Sequence, residues 1–286
     1  MRAFIYLLVG LVFASCSEDT NTFTYNGEVK SSIFNTDISK PVTTGNWYKP
    51  SLDVSWQWQL KNTINKNYSV ELYDLDLFDS DATLIKSLQD DGKKVICYFS
   101  AGSYENWRED ADSFSSSTLG KILDGWEDEK WLDIRDESLA PIMRARLDLA
   151  VQKGCDGVEP DNMDGYINDT SFSLTYSDQA AYNKFIANEA RGRGLSVALK
   201  NDLDQIVELE PYFDFSVNEQ CHEFDECDSL EPFINADKPI LNAEYSDKYI
   251  NSSSEKEKMC SQAQASQFRT LILPLDLDDT FRISCD

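Results

Sequence analysis

The chain has 286 residues, 41% of them hydrophobic and 12% aromatic, which excludes a disordered protein and is enough for one large domain without covalent staples. Lys and Arg number 26 against 51 Asp and Glu, a formal net charge of -25. A surface of that sign repels nucleic acid and anionic headgroups, which argues against both as partners, and it draws in cationic ligands.

The N-terminus reads M-R-A-F-I-Y-L-L-V-G-L-V-F-A-S-C. One basic residue precedes an apolar run too short for a membrane span, and the run ends in Ala14, Ser15 and Cys16. This resembles a bacterial lipoprotein signal, with residues 1–15 removed and Cys16 carrying lipid. The expectation is an exported cell-envelope lipoprotein that meets the membrane only through its anchor, with ordinary secretion as the alternative. Residues 16–45, rich in Ser, Thr, Asn and Asp, read as a flexible tether, and 46–286 as a single folded domain, expected to be monomeric.

Strand candidates follow in order: Val54–Gln59, Val70–Leu75, Lys94–Ser100, Trp131–Arg135, Gly157–Asp161, Leu195–Lys200, Phe213–Asn218, Pro239–Glu244 and Thr270–Leu275. Helical stretches lie between them at 81–91, 141–153, 177–191 and 255–268, the third with a cap at Ser177-Asp178. Gly92, Gly154 and Gly194 each end a helix just before a strand, where a left-handed residue is needed. Alternating strands and helices make parallel βαβ units, and the length suits a (β/α)8 barrel. Nine candidates leave one surplus strand. Trp131–Arg135 is the one to demote, because it ends the long irregular stretch 103–130.

Setting Cys16 aside leaves Cys97, Cys155, Cys221, Cys227, Cys260 and Cys285, enough for three disulfides in an oxidising compartment. Six cysteines allow 15 pairings. Proximity favours Cys221–Cys227, the need to tie down the C-terminus favours Cys260–Cys285, and Cys97–Cys155 is what remains. No metal or other cofactor is expected. There is no C-x-x-C, the only histidine is His222, and the acidic run 276–279 lacks the spacing of a calcium loop.

In such barrels the reacting groups stand at the C-terminal ends of the strands. Those ends carry Trp56 and Trp58 on the first strand, Asp74 on the second, Tyr98 on the third, and Glu159, Asp161 and Asn162 on the fourth. The fifth ends in Lys200, the sixth in Asn218 and Glu219, and the seventh in Glu244 and Tyr245. Glu159 and Asp161 are two apart, so on an extended chain both point to the same side. Acids, amides and aromatic rings on one rim suit a sugar, whose ring faces stack on aromatics and whose hydroxyls take polar groups. Ser-His-Asp, phosphate-loop and dinucleotide motifs are absent.

The runs V-I-C-Y-F-S-A-G-S-x-E-x-W-R (95–108), G-W-x-x-E-x-W-L-D-I-R (125–135), K-G-C-D-G-V-E-P-D-N-x-D-G-Y (153–166), L-S-V-A-L-K-N-D (195–202) and V-N-E-Q-C (217–221) resemble glycoside hydrolase family 114. Those are endo-α-1,4-polygalactosaminidases with (β/α)8 barrels. The resemblance implies a retaining endo-hydrolase of α-1,4-linked galactosamine in an exopolysaccharide, a cationic polymer that the acidic surface would collect. It implies Asp161 as nucleophile and Glu219 as general acid/base. Asp74 and Glu244 are expected to contact sugar hydroxyls or amines, Lys200 to hold Asp161 ionised, and Trp56, Trp58, Tyr98, Glu159, Asn162 and Asn218 to line the substrate site. Two other readings stand beside it: a non-catalytic glycan-binding lipoprotein on the same barrel, and a barrel glycosidase for another α-linked sugar.

Overall fold

The apolar runs become parallel strands in the computed structural model, which describes Phe34 and residues 40–286. In chain order these are β1 (Trp56–Gln59), β2 (Leu72–Asp76), α1 (Ala82–Asp90) and β3 (Lys94–Ser100), then an insertion, β4 (Ser103–Glu105), β5 (Leu119–Leu123) and β6 (Trp126–Leu132). There follow α2 (Leu139–Lys153), β7 (Gly157–Asp161), α3 (Tyr176–Gly192), β8 (Ser196–Lys200), α4 (Ile206–Leu209) and β9 (Phe215–Glu219). The chain ends with α5 (Cys221–Phe224), α6 (Glu231–Asn235), β10 (Ile240–Glu244), α7 (Asp247–Asn251), α8 (Ser253–Ala265), β11 (Arg269–Ile272) and β12 (Ile283–Ser284).

The main sheet runs β1-β2-β3-β7-β8-β9-β10-β11-β12, with every pair parallel except β11 with β12. Its eight parallel strands are the eight retained candidates, taken in chain order, and the fold is α/β. Trp131 and Leu132 belong instead to a separate antiparallel sheet, β4-β6-β5, so the demoted candidate is a strand outside the main sheet. The ninth strand of the main sheet is the two-residue β12, too short to carry a periodic signal. Between the outer parallel strands, Trp56 Nε1 donates to the Arg269 carbonyl (2.8 Å) and Arg269 Nε to the Val54 carbonyl (3.0 Å). No β1–β11 ladder forms among the described residues.

Period-two alternation sorts the strand residues into two apolar clusters. One contains Trp56, Trp58, Leu72, Ile96, Ala198, Val217, Ala243 and Leu271 from seven of the parallel strands. The other packs the opposite face, with Tyr73, Cys97, Phe99, Val158, Leu199 and Ile240, against α1, α2, α3 and α8. Asp74, Tyr98, Glu159, Asp161, Lys200 and Glu219 share the parity of the first cluster, so they stand over its C-terminal end.

The turns obey the glycine rule at the expected places: Gly92, Gly154 and Gly194 have φ of +79°, +86° and +79°. The cap of α3 is Thr175 rather than Ser177. Its hydroxyl accepts from the Asp178 amide while the Asp178 side chain accepts from Thr175 N, a reciprocal box. All three expected disulfides form: Cys97–Cys155, Cys221–Cys227 and Cys260–Cys285.

Part of the expected tether is docked. Val42 N donates to Asn188 Oδ1 (2.8 Å), its carbonyl accepts from Arg191, and the buried Phe34 ring meets Tyr182 and Phe185 edge-on. A polar segment without periodicity is held here by α3 side chains satisfying its backbone. The signal segment and Cys16 lie outside the described residues. No helix among the described residues is long and apolar enough to cross a membrane.

Candidate active site

Each acidic strand end is placed by the pleat. On β7, Glu159 and Asp161 point to the same side, with Glu159 one layer deeper. Registers Asp74↔Ile96, Tyr98↔Glu159 and Ser100↔Asp161 lay β2, β3 and β7 side by side. Lys200, at the end of β8, extends its ammonium into the middle. It lies 2.9 Å from Asp161 Oδ1, 3.1 Å from Glu219 Oε2 and 3.5 Å from Glu159 Oε1, and 4.9 Å from the centre of the Trp58 ring. Because Asp161 Oδ1 and Glu219 Oε2 meet one nitrogen, they are no farther apart than the sum of those two lengths, 6.0 Å. Burial alone would pull the Lys200 pKa down. Asp161, Glu219 and Glu159 outweigh it and hold it well above the usual lysine value.

Both carboxylates are also oriented by phenols. Tyr98 donates to Asp161 Oδ2 (3.0 Å), and Tyr245 to Glu219 Oε1 (2.5 Å). Burial, then the facing carboxylate, pushes each phenol well above its ordinary pKa, so neither gives up its proton near neutral pH. Asn201 clamps Glu219 from the side: its Nδ2 donates to Oε2 (3.1 Å) and its Oδ1 accepts from the Glu219 amide (3.0 Å). The Asn162 amide donates to Asp161 Oδ1 (2.7 Å).

Exposure separates the acids by role. The Asp161 and Glu219 side chains are 17% and 25% exposed, whereas Asp74 and Glu159 are sealed. None of the four oxygens of the sealed pair has a hydrogen-bond partner among the described residues. Two buried carboxyls that face each other, with only the Lys200 ammonium 3.5 Å from Glu159 beside them, favour sharing a proton. Burial pushes Asp74 up to about 7, and burial followed by Asp74 raises Glu159 well above the usual range. The sealed pair lies beneath the cleft, and Asp161 and Glu219 are the carboxylates that solvent reaches.

The other expected site residues divide. Trp58 and Tyr98 belong to the cluster, although Trp58 is buried under Lys200 rather than open as a stacking surface. Trp56 sits a layer lower in the core. Asn162 is adjacent, but its side chain turns to Ser100 and Ser103. Asn218 and Glu244 have the opposite parity and face the helices. Asn218 Nδ2 donates to Asn242 Oδ1, and Glu244 Oε1 accepts from His222 N (2.9 Å) and Asn242 Nδ2. Those two residues serve the packing of β9, β10 and α5 and are turned away from the carboxylate pair. Tyr245 and Asn201 contact the carboxylates; both stand at strand ends on the expected rim, but neither was assigned a contact role.

The model of glycoside-hydrolase family GH114 matches residues 38–286. The chain belongs to this family, and it is a glycoside hydrolase. Among solved structures it is similar to Aspergillus fumigatus Ega3 in complex with galactosamine, at 42% identity and a TM-score of 0.81, over 85% of this chain and 100% of that one. The glycoside hydrolase domain of PelA from Pseudomonas aeruginosa matches at 12% identity and a TM-score of 0.64, over 80% of this chain and 98% of that one, a likeness of fold. No match was found among curated proteins.

Proposed function

We propose that this protein is a retaining endo-glycosidase that cuts α-1,4-linked galactosamine polymer, with Asp161 as nucleophile and Glu219 as general acid/base. The observation that carries the reading is the shared Lys200 ammonium, which keeps the reactive oxygens within 6.0 Å. Retaining glycosidases hold the pair about 5–5.5 Å apart, whereas inverting ones leave roughly 6.5–9.5 Å for a water. Asp161 attacks the anomeric carbon while Glu219 gives a proton to the departing oxygen. Glu219 then takes a proton from water, which releases the sugar from Asp161 with its anomeric configuration unchanged.

Galactosamine as substrate is supported by family membership and by the ligand of the 42% identical Ega3. A net charge of -25 suits a polymer carrying one amine per free sugar. The hydrogen bonds between β1 and the Arg269 strand support closure of the sheet into a (β/α)8 barrel. Three disulfides support export, and the N-terminal segment supports a lipid anchor on Cys16, with the enzyme acting as a monomer.

The test is incubation of the purified protein with partly deacetylated α-1,4-polygalactosamine, following oligosaccharides by mass spectrometry and the newborn anomer by NMR. Release of α-configured oligomers, abolished in Asp161→Asn and Glu219→Gln, is the expected result. Binding without release would make it a glycan-capturing module. Initial β products would overturn retention, and cleavage only of another α-glycan would overturn the substrate.

A further inference from the structure

The insertion between β3 and β7 reaches the carboxylate pair through an unbroken hydrogen-bond chain. The Glu129 side chain on β6 is 7% exposed and accepts from Ser103 Oγ (2.6 Å). Ser103 Oγ lies 2.5 Å from Ser100 Oγ, and Asn162 Nδ2 donates to both hydroxyls, at 2.9 Å to Ser100 and 3.1 Å to Ser103. Asn162 is held with φ +60°, and its amide donates to Asp161 Oδ1.

The order of protons along this chain follows from the donor inventory. With Glu129 ionised, Ser103 spends its proton on it, so Ser100 donates to Ser103, and both hydroxyls keep a lone pair for Asn162. An acceptor at the Glu129 end is what sets this direction. With that acceptor gone, Ser103 is free to donate to Ser100, whose oxygen already accepts from the Ser103 backbone amide (3.1 Å), and the Asn162 side chain loses one of its two hydroxyl acceptors.

The backbone around the chain has no slack. The Ala101 and Gly102 amides both donate to the Asp161 carbonyl, at 2.9 and 3.0 Å. A Cβ on Gly102 would stand 1.7 Å from the Asn162 carbonyl oxygen. Small changes in the Asn162 side chain are therefore passed to its amide, and through it to Asp161.

We propose that Glu129 is a positioning residue for Asp161, acting through Ser103, Ser100 and Asn162, so that the inserted sheet is part of the catalytic apparatus. Burial pushes the Glu129 carboxyl up to about 7, with Glu105 opposite it and Asp161 adding to the effect, although Ser103 and Arg108 pull the other way. A carboxyl kept out of water in this way costs stability, and the relay to Asp161 supplies a reason for its presence.

The inference rests on Asp161 being a reacting carboxylate, and the experiment separates the two. Glu129→Met, which removes the acceptor, and Ser103→Ala are each expected to lower kcat about tenfold or more, with KM within twofold and a thermal midpoint close to that of the parent. The double variant should lose no more than the worse single one, because both break one chain. Unchanged kcat in both single variants, or losses that multiply in the double variant, would overturn the relay. An active Asp161→Asn would instead overturn the underlying assignment.

Discussion

Replacing Lys200 by Met probes the electrostatics of the site most directly. Lys200 is 3% exposed, and its ammonium serves three carboxyl groups at 2.9, 3.1 and 3.5 Å. Methionine matches the aliphatic stem and still packs on the Trp58 ring, so the fold is expected to survive. What disappears is the only cation in ion-pair reach of Asp161 or Glu219 among the described residues. Removing one partner of a buried ion pair costs about 3–5 kcal/mol. Carboxyls escape part of that cost by taking up protons, and at 1.36 kcal/mol per pKa unit it corresponds to roughly 2–4 units. The acidic limb of kcat/KM against pH should therefore move up by about two units or more. At pH 5 the variant should be on the order of 100-fold slower, recovering as pH rises. The assay is a pH profile of reducing-end release, with a thermal melt at each pH to confirm folding. A profile that superimposes on the parent would refute the role given to Lys200. A lower melting midpoint with an unmoved acidic limb would reduce Lys200 to a structural residue.

Two further outcomes are expected. Burial and then Asp164 push the Asp202 carboxyl up to about 9, so the folded state holds a proton that the unfolded chain releases near pH 4. The resulting stability is fully present below pH 4 and is lost as pH rises toward 9, so the melting midpoint should fall between pH 5 and pH 9. Asp202→Asn should flatten that slope, since Asn183 Nδ2, now 2.8 Å from Asp202 Oδ2, still finds a carbonyl acceptor; an equally steep slope in the variant would rule Asp202 out as the cause. Tyr245→Phe removes the 2.5 Å phenol donor from Glu219, and hydrogen bonds to charged groups contribute about 1.5–3 kcal/mol. A loss of roughly 10–150-fold in kcat with intact folding is expected, and a loss under twofold in steady-state assays would show that Asn201 and Lys200 suffice.

The order of elements was readable because each signal was local. Gly92, Gly154 and Gly194 terminate helices by their own backbone freedom, and the runs ending in Asp161 and Glu219 are short segments that pass from apolar to acidic residues. Direction was harder to read. Asn218 and Glu219 are neighbours, yet one turns to Asn242 on β10 and the other to the cleft, and only the strand's place in the sheet decides which. Glu244 failed for the same reason. Glu129 stood out only as one letter of the 125–135 run: its meaning depends on Ser103, 26 residues away, and on the fold bringing Asn162 to Ser103.

The bond between Cys97 and Cys155 encloses the whole inserted sheet in one covalent ring. The tip of its β5–β6 hairpin, at Asp124 and Gly125, is exposed and offers proteases a place to cut. A cut there would leave the two fragments joined through this bridge and through the strand pairing on either side. Clipped molecules would then run as full-length protein on a gel until a thiol is added, and they could remain in service with their main chain already broken.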